Sequence, residues 1–160
     1  LHQKWRHQLG QAVRHDLRIV HRPLNTDHSL LKLEAAQSRA RRYRNWPTTL
    51  TAAFAQVAPA QTHLFTAKLR GYPVAYMLFL RHGARATYHI GHTTDEGRAH
   101  HAHNLLMWEA MDALAALGVM SIDLGPATTP QIDRFKRRAG ATEALTGGTW
   151  LRWRPLARGR

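Results

Sequence analysis

Cysteine is missing from the 160 residues, which excludes a disulfide framework, a thiol nucleophile and a zinc–thiolate site. Acid is scarce as well. Ten Asp and Glu stand against 23 Lys and Arg, leaving a formal net charge of +13. That balance favours anionic partners such as CoA phosphates, nucleotide-linked substrates, RNA or a lipid surface. Arg-rich chains of high-GC bacteria show the same bias with no nucleic acid involved, and no base-stacking motif accompanies the charge. Long apolar runs are absent too: Val74 to Leu80 falls far short of the roughly 20 residues that cross a bilayer, so no transmembrane segment is expected and the cytoplasm is the default location. No signal peptide is read. The opening Leu1-His2-Gln3-Lys4-Trp5-Arg6 already has helical character, which is read as a sequence continuing upstream.

What is present fits one globular domain, since 44% of the residues are apolar and the length allows a sizeable core. Trp5, Leu9 and Val13 recur at four-residue spacing and predict an amphipathic helix through Arg14. Leu17 to Val20 reads as a short strand. Asp27 is the expected cap of a helix carrying Leu30, Leu31, Leu33 and Ala36, and Thr48 that of a second with Leu50, Ala53, Phe54 and Val57. Three strand-like runs follow, Thr62 to Arg70, Tyr72 to Arg81 and Ala86 to Thr93, parted by turns at Arg70-Gly71 and His82-Gly83. They predict an antiparallel meander. Val74 to Leu80 is apolar on both faces, so helices should cover it above and below.

A polar loop from Thr94 to His103 leads into a helix from Asn104 to Leu117, stopped by Gly118, and Val119 to Leu124 reads as the next strand. Strand, helix and strand predict a parallel right-handed crossover. A short helix from Pro130 to Arg138 and a last strand from Thr149 to Trp153 complete an α+β domain. Trp46, Trp108 and Trp150 are read as packing residues.

Such a crossover sets a helix N-terminus beside a strand end, a natural phosphate site. Gly97, Arg98, Ala99, His100, His101, His103 and Asn104 are the candidate phosphate- or cofactor-binding residues there. A solvated polar loop is the other reading. The three histidines lack the helical i, i+4 spacing and a nearby acid, so no metal is expected. His92, at the mouth of the third meander strand, is a candidate general base or simply a polar strand end. Tyr88 is a candidate proton donor, with core packing the alternative.

The stretch Tyr88-His89-Ile90-Gly91, Gly97-Arg98, Asn104 to Met111, Gly118, Ile122-Asp123-Leu124-Gly125 and Arg134-Phe135-Lys136 resembles the C-terminal half of FemAB-like proteins, members of the wider GNAT superfamily. The Asp-Leu-Gly strand end and the Phe-Lys pair are its most specific parts. Even Lys4-Trp5-Arg6 resembles the segment joining the two GNAT-like halves of that family. The resemblance implies a GNAT-like fold, with residues 1–16 as a linker helix, 17–156 as the acyltransferase domain and 157–160 as a basic tail. A second GNAT-like domain would then lie N-terminal in the full protein. It also implies a V-shaped cleft where an acyl donor meets a small-molecule or peptide amine acceptor, without metal.

The donor in such proteins is acetyl-CoA, another acyl-CoA, or an aminoacyl-tRNA used on a peptidoglycan precursor. The Gln/Arg-x-x-Gly-x-Gly/Ala phosphate loop of CoA users is not present between Asp95 and Asn104, which keeps both donors open. The chemistry expected is direct attack by the amine on the acyl carbonyl. Lys136 is then a candidate to hold a phosphate or carbonyl oxygen, against a surface lysine. Asp123 would orient the amine or Lys136, or cap the Gly125-Pro126 turn. Arg134, Arg137 and Arg138 read as a solvated basic face. The rivals to an N-acyltransferase are a non-catalytic module that binds a polyanion and a half-domain that only supports its partner.

Overall fold

The computed structural model describes residues 1–25, 29–43, 45–126, 128–145 and 147–148. The elements run α1 (Gln3–Arg14), β1 (Leu17–Arg22), α2 (Ser29–Arg41), α3 (Thr48–Val57), β2 (Thr62–Leu69), β3 (Tyr72–His82), β4 (Arg85–Thr93), α4 (Asp95–Ala99), α5 (Ala102–Ala116), β5 (Ser121–Asp123) and α6 (Pro130–Arg138). The sheet order is β1-β2-β3-β4-β5. All neighbours are antiparallel except β4 and β5, the parallel pair that the crossover predicted. This is the mixed sheet, a meander with one parallel crossover, that the resemblance implies. Asp27, the strand expected at Thr149 to Trp153, Trp150 and the basic tail 157–160 lie outside the described residues.

Alternation along the strands sends side chains to two different layers. Phe65, Ala67, Ala75, Met77 and Phe79 meet Trp5 of α1 and Ala102, Leu106, Met107, Ala110 and Leu114 of α5. Leu64, Leu78 and Ile90 point the other way, to Leu24, to Leu30 and Leu31 of α2 and to Ala55 of α3. β3 is covered on both sides, which explains its continuous apolar run. Trp5 is fully buried, so α1 is part of the core layer as well as a candidate linker. Two tryptophan readings are corrected: Trp46 is 68% exposed and Trp108 43% exposed. Trp46 sits in the break between α2 and α3, and Trp108 lies on the side of α5 turned from the sheet.

Two irregularities shape β4. Across β3, Phe79 pairs with Tyr88 but Leu78 pairs with Ile90, so His89 is an extra residue, a bulge. On its other side β5 pairs only with Arg85, Ala86 and Thr87. Gly118, at φ +81°, adopts the left-handed conformation that ends α5 and turns the chain back into β5.

Candidate functional site

Beyond Thr87, β4 continues to Thr93 without β5 beside it, which leaves an open strand edge. The direction of its backbone groups follows from one bond: Thr94 N–H donates to Val74 O on β3 at 3.0 Å. Alternation then turns the backbone of Gly91 and Thr93 to the open edge. Their carbonyls accept from side chains there, Gly91 O from Gln37 Nε2 at 3.1 Å and Thr93 O from Arg98 Nη1 at 2.9 Å. Asn45 Nδ2 reaches His89 O at the bulge, at 3.4 Å. With the carbonyls engaged, the N–H groups of Gly91 and Thr93 make the edge a donor strip, suited to an oxygen that gains negative charge.

Over the α2 side of this strip lies a polar network. Glu34 is buried, 3% exposed, and its carboxylate accepts from Tyr43 Oη at 2.9 Å and from Asn45 Nδ2 at 2.9 Å. Gln37 Nε2 also donates to Tyr43 Oη at 2.9 Å, and Gln37 Oε1 lies 3.2 Å from His92 Nδ1. Thr51 of α3 meets His89 Nε2 at 2.8 Å. Burial, then the positive charges of Arg41 and Arg98, lower the pKa of His92, with Glu34 pulling against them. His92 is therefore neutral near pH 7, the form a base needs. Burial also lowers His89 and raises Tyr43.

Reading from sequence alone missed Glu34, Gln37, Tyr43 and Asn45. A signal existed: Glu34 and Gln37 stand four and seven residues after Leu30, on the stripe that α2 buries, where polar residues demand partners.

The expected phosphate loop has another shape. Residues 95–99 form the short helix α4, whose Thr94 Oγ1 accepts from Gly97 N at 3.0 Å. Gly97 turns inward: a Cβ there would sit 2.4 Å from Val74 O, so the glycine serves close helix–strand packing rather than ligand approach. Arg98 is held by Asp95 and by Thr93 O. Ala99 is exposed at the end of α4. The His100 ring lies 4.4 Å from that of His15, just past the end of α1, and is tilted against it. His101, left-handed at φ 52°, is the N-cap of α5 and gives no side-chain cap. The N–H groups of Ala102 and His103 thus keep their donor capacity, while that of Asn104 donates to His101 O at 2.9 Å.

In the first turn of α5, His103 Nε2 bonds His92 O at 3.0 Å, and burial pushes the His103 pKa down to about 4. Asn104, 6% exposed, keeps its Nδ2 without a partner. The uncapped helix start and this orphaned donor fit an anionic group such as a phosphate.

Asp123 and Lys136 come together at one turn. Asp123 Oδ1 accepts from Gly125 N at 2.7 Å, and Lys136 Nζ donates to Gly125 O at 3.2 Å and to Pro126 O at 2.8 Å. Desolvation lowers the lysine, with Asp123 and Asp133 raising it. The adjacent Phe135 lies 6.4 Å from the His103 ring, which ties this turn to the α5 start. Tyr88 packs in the α5-side core, its hydroxyl 1.7 Å from where a Cβ on Gly91 would be, and burial raises its pKa strongly. Among the described residues no cluster of three or more His, Asp or Glu could hold a metal ion. No helix of the described residues is long and apolar enough to cross a membrane.

Comparisons with known proteins bear on the fold. The ribosomal-protein-alanine N-acetyltransferase of Brucella melitensis biovar Abortus 2308 superposes with a TM-score of 0.62 at 14% identity, over 87% of this chain and 100% of that one. The ribosomal-protein-S18-alanine N-acetyltransferase of Escherichia coli gives 0.56 at 17%, over 80% of each chain. AAC(6')-Iy, in complex with the bisubstrate analogue CoA-S-monomethyl-acetylneamine, gives 0.56 at 11%, over 86% of this chain and 99% of that one. At these identities the likeness is one of fold. No curated protein sequence matches. The family model described as the acetyltransferase (GNAT) domain matches residues 4–137, and so the chain belongs to the GNAT acetyltransferase family and is an acyltransferase.

Proposed function

We propose that this chain is an N-acyltransferase of the FemAB-like kind that moves an acetyl or other acyl group from CoA to an amine. The observation that carries the reading is the donor strip at Gly91 and Thr93 lying beside a neutral, partly buried His92. In the reaction the amine nitrogen attacks the acyl carbon, a C–N bond forms, the thioester C–S bond breaks and the thiolate leaves. His92 takes the proton released by the amine. The strip N–H groups face the oxygen that becomes negative. The uncapped start of α5, with Asn104, suits the donor phosphates, and Lys136 with Asp123, at the Gly125-Pro126 turn, is assigned to the acceptor side.

A second reading has its own observation. A depression of about 390 Å³ on α6 is lined by His2, Pro130, Asp133, Arg134, Arg137 and Arg138, and suits a polyanion. An aminoacyl-tRNA donor would use such a surface, as would a module that only binds polyanions. Thermal unfolding with acetyl-CoA, desulfo-CoA and an RNA polyanion, each at two salt concentrations, separates the readings. A ligand at 100 times its Kd adds about 2.7 kcal/mol. A CoA shift that survives high salt, with thiol release when amines are added, is expected. An RNA shift that high salt abolishes, without a CoA shift, contradicts the CoA-dependent reading.

A further inference from the structure

The role given to His92 as base is the starting point, and its other ring nitrogen carries the argument further. The Gly91 carbonyl can only accept, so the Gln37 group 3.1 Å from it is the NH2 end of the amide. The second hydrogen of that NH2 goes to Tyr43 Oη, 2.9 Å away. Tyr43 spends its own hydrogen on Glu34, whose two carboxylate oxygens both lie 2.9 Å from it. Asn45 Nδ2 donates to the same carboxylate at 2.9 Å. Every direction of donation is then fixed, from Gln37 to Tyr43 and from Tyr43 to Glu34. The carbonyl end of Gln37, Oε1, therefore faces His92 Nδ1 at 3.2 Å, and that nitrogen must bear the hydrogen. A neutral imidazole has one ring hydrogen, so Nε2 is left with the lone pair.

We propose that Gln37, anchored by Tyr43 and Glu34, is a positioning residue that holds His92 in the Nδ1–H form and leaves Nε2 as the base for the acceptor amine.

The amide does for His92 what a carboxylate does for the histidine of a hydrolase triad, without adding a charge. It keeps the ring neutral and basic where a carboxylate would hold a proton on it. The charged and titratable groups around the ring are Glu34 and Arg41 of α2, Tyr43 beyond it, Tyr76 of β3, Arg98 of α4 and His103 of α5. A wrong tautomer in a triad enzyme costs about 10⁴-fold in kcat, which bounds the effect from above.

The test compares wild type, Gln37→Leu and Gln37→Glu, each first checked for cooperative thermal unfolding. Nitrogen-15 spectra of the imidazoles report the His92 tautomer without any substrate. Thiol release from acetyl-CoA, with lysine, spermidine and a glycine-terminated peptide as amines, reports kcat and KM against pH. The wild type should carry its hydrogen on Nδ1. Gln37→Leu should lose that preference and lower kcat by about 10- to 100-fold, less than the roughly 100- to 10,000-fold that loss of a general base itself costs, with the KM for acetyl-CoA little changed. Gln37→Glu should move both the His92 titration and the acid limb of kcat/KM upward by about one pH unit or more. A wild-type His92 protonated on Nε2 overturns the proposal and leaves acyl transfer itself standing. The expected tautomer with an acid limb that ignores Gln37→Glu overturns the base role, and the proposal with it.

Discussion

The two sides of the sheet are built on opposite principles. Toward α1 and α5 the contacts are dry and large, with Trp5, Phe65, Met77, Phe79, Leu106 and Met107 interleaved. Toward α2 and α3 a smaller apolar group of Leu24, Leu30, Leu31, Ala55, Leu64, Leu78 and Ile90 gives way, along β4, to Glu34, Gln37, Tyr43, Asn45 and His92. The first side holds the sheet together, since apolar area removed from water stabilises in proportion to its extent. The second places fixed dipoles where a reaction gains charge, and such a network is favourable only when each member has its partner. The division teaches that stability and chemistry can be separated by mutation here.

The strongest way to break that division is on the dry side. Trp5→Ala should cost about 3–5 kcal/mol in urea unfolding, while the folded fraction keeps its kcat. A proportional loss of kcat in fully folded protein would show that the faces are not separable. On the polar side, His92→Ala should lower kcat/KM by about 100- to 10,000-fold, the range of general-base loss, and move Tm little. Unchanged kcat/KM would remove His92 from the chemistry.

His103 joins the two sides and predicts a pH dependence. Its folded pKa is pushed down to about 4 by burial, against an ordinary value of 6.5, so the unfolded chain takes up the proton first. Its contribution is complete above pH 6.5 and is lost as the pH falls from there to about 4. At ~1.4 kcal/mol per pH unit the loss across that window is about 3 kcal/mol. His103→Gln should flatten it in urea titrations at pH 7 and pH 4.5; an unchanged slope would assign the acid sensitivity to other groups. The smallest of the four effects is Gly97→Ala, about 1–3 kcal/mol of overpacking against Val74 O. A gain in stability, as at an open helix position, would show that α4 moves freely off β3.

The same contrast governs what the sequence disclosed. The meander was legible to within a residue or two: Thr62 to Arg70 against Thr62–Leu69, Tyr72 to Arg81 against Tyr72–His82, Ala86 to Thr93 against Arg85–Thr93. Strand alternation and turn residues are local signals. The helix stripe at Leu106, Ala110 and Leu114 is local too, whereas Leu117, which the same spacing adds to it, is 42% exposed at the end of α5. The polar network is not, because Gln37 and His92 meet from 55 positions apart and nothing near either residue announces the other. His92 was legible as a strand-end histidine, but its partner was hidden on α2. For Gly97 and Arg98, candidates for close backbone approach and for donation to a ligand, a polar loop after a strand carries no sign of the local partners, which are Val74 and Thr94 for Gly97 and Asp95 with Thr93 for Arg98. Asp123 and Lys136 did fall at one place, the Gly125-Pro126 turn, where the capping reading of Asp123 is met by a bond.

The most direct test of the central claim is amide proton–nitrogen mapping of the folded domain during titration with acetyl-CoA. The account predicts that Gly91 and Thr93, on the open edge of β4, shift together with Ala102 and His103 at the start of α5. Shifts confined to His2, Arg134, Arg137 and Arg138 would contradict it, and would make the protein a binder of phosphate at its basic surface.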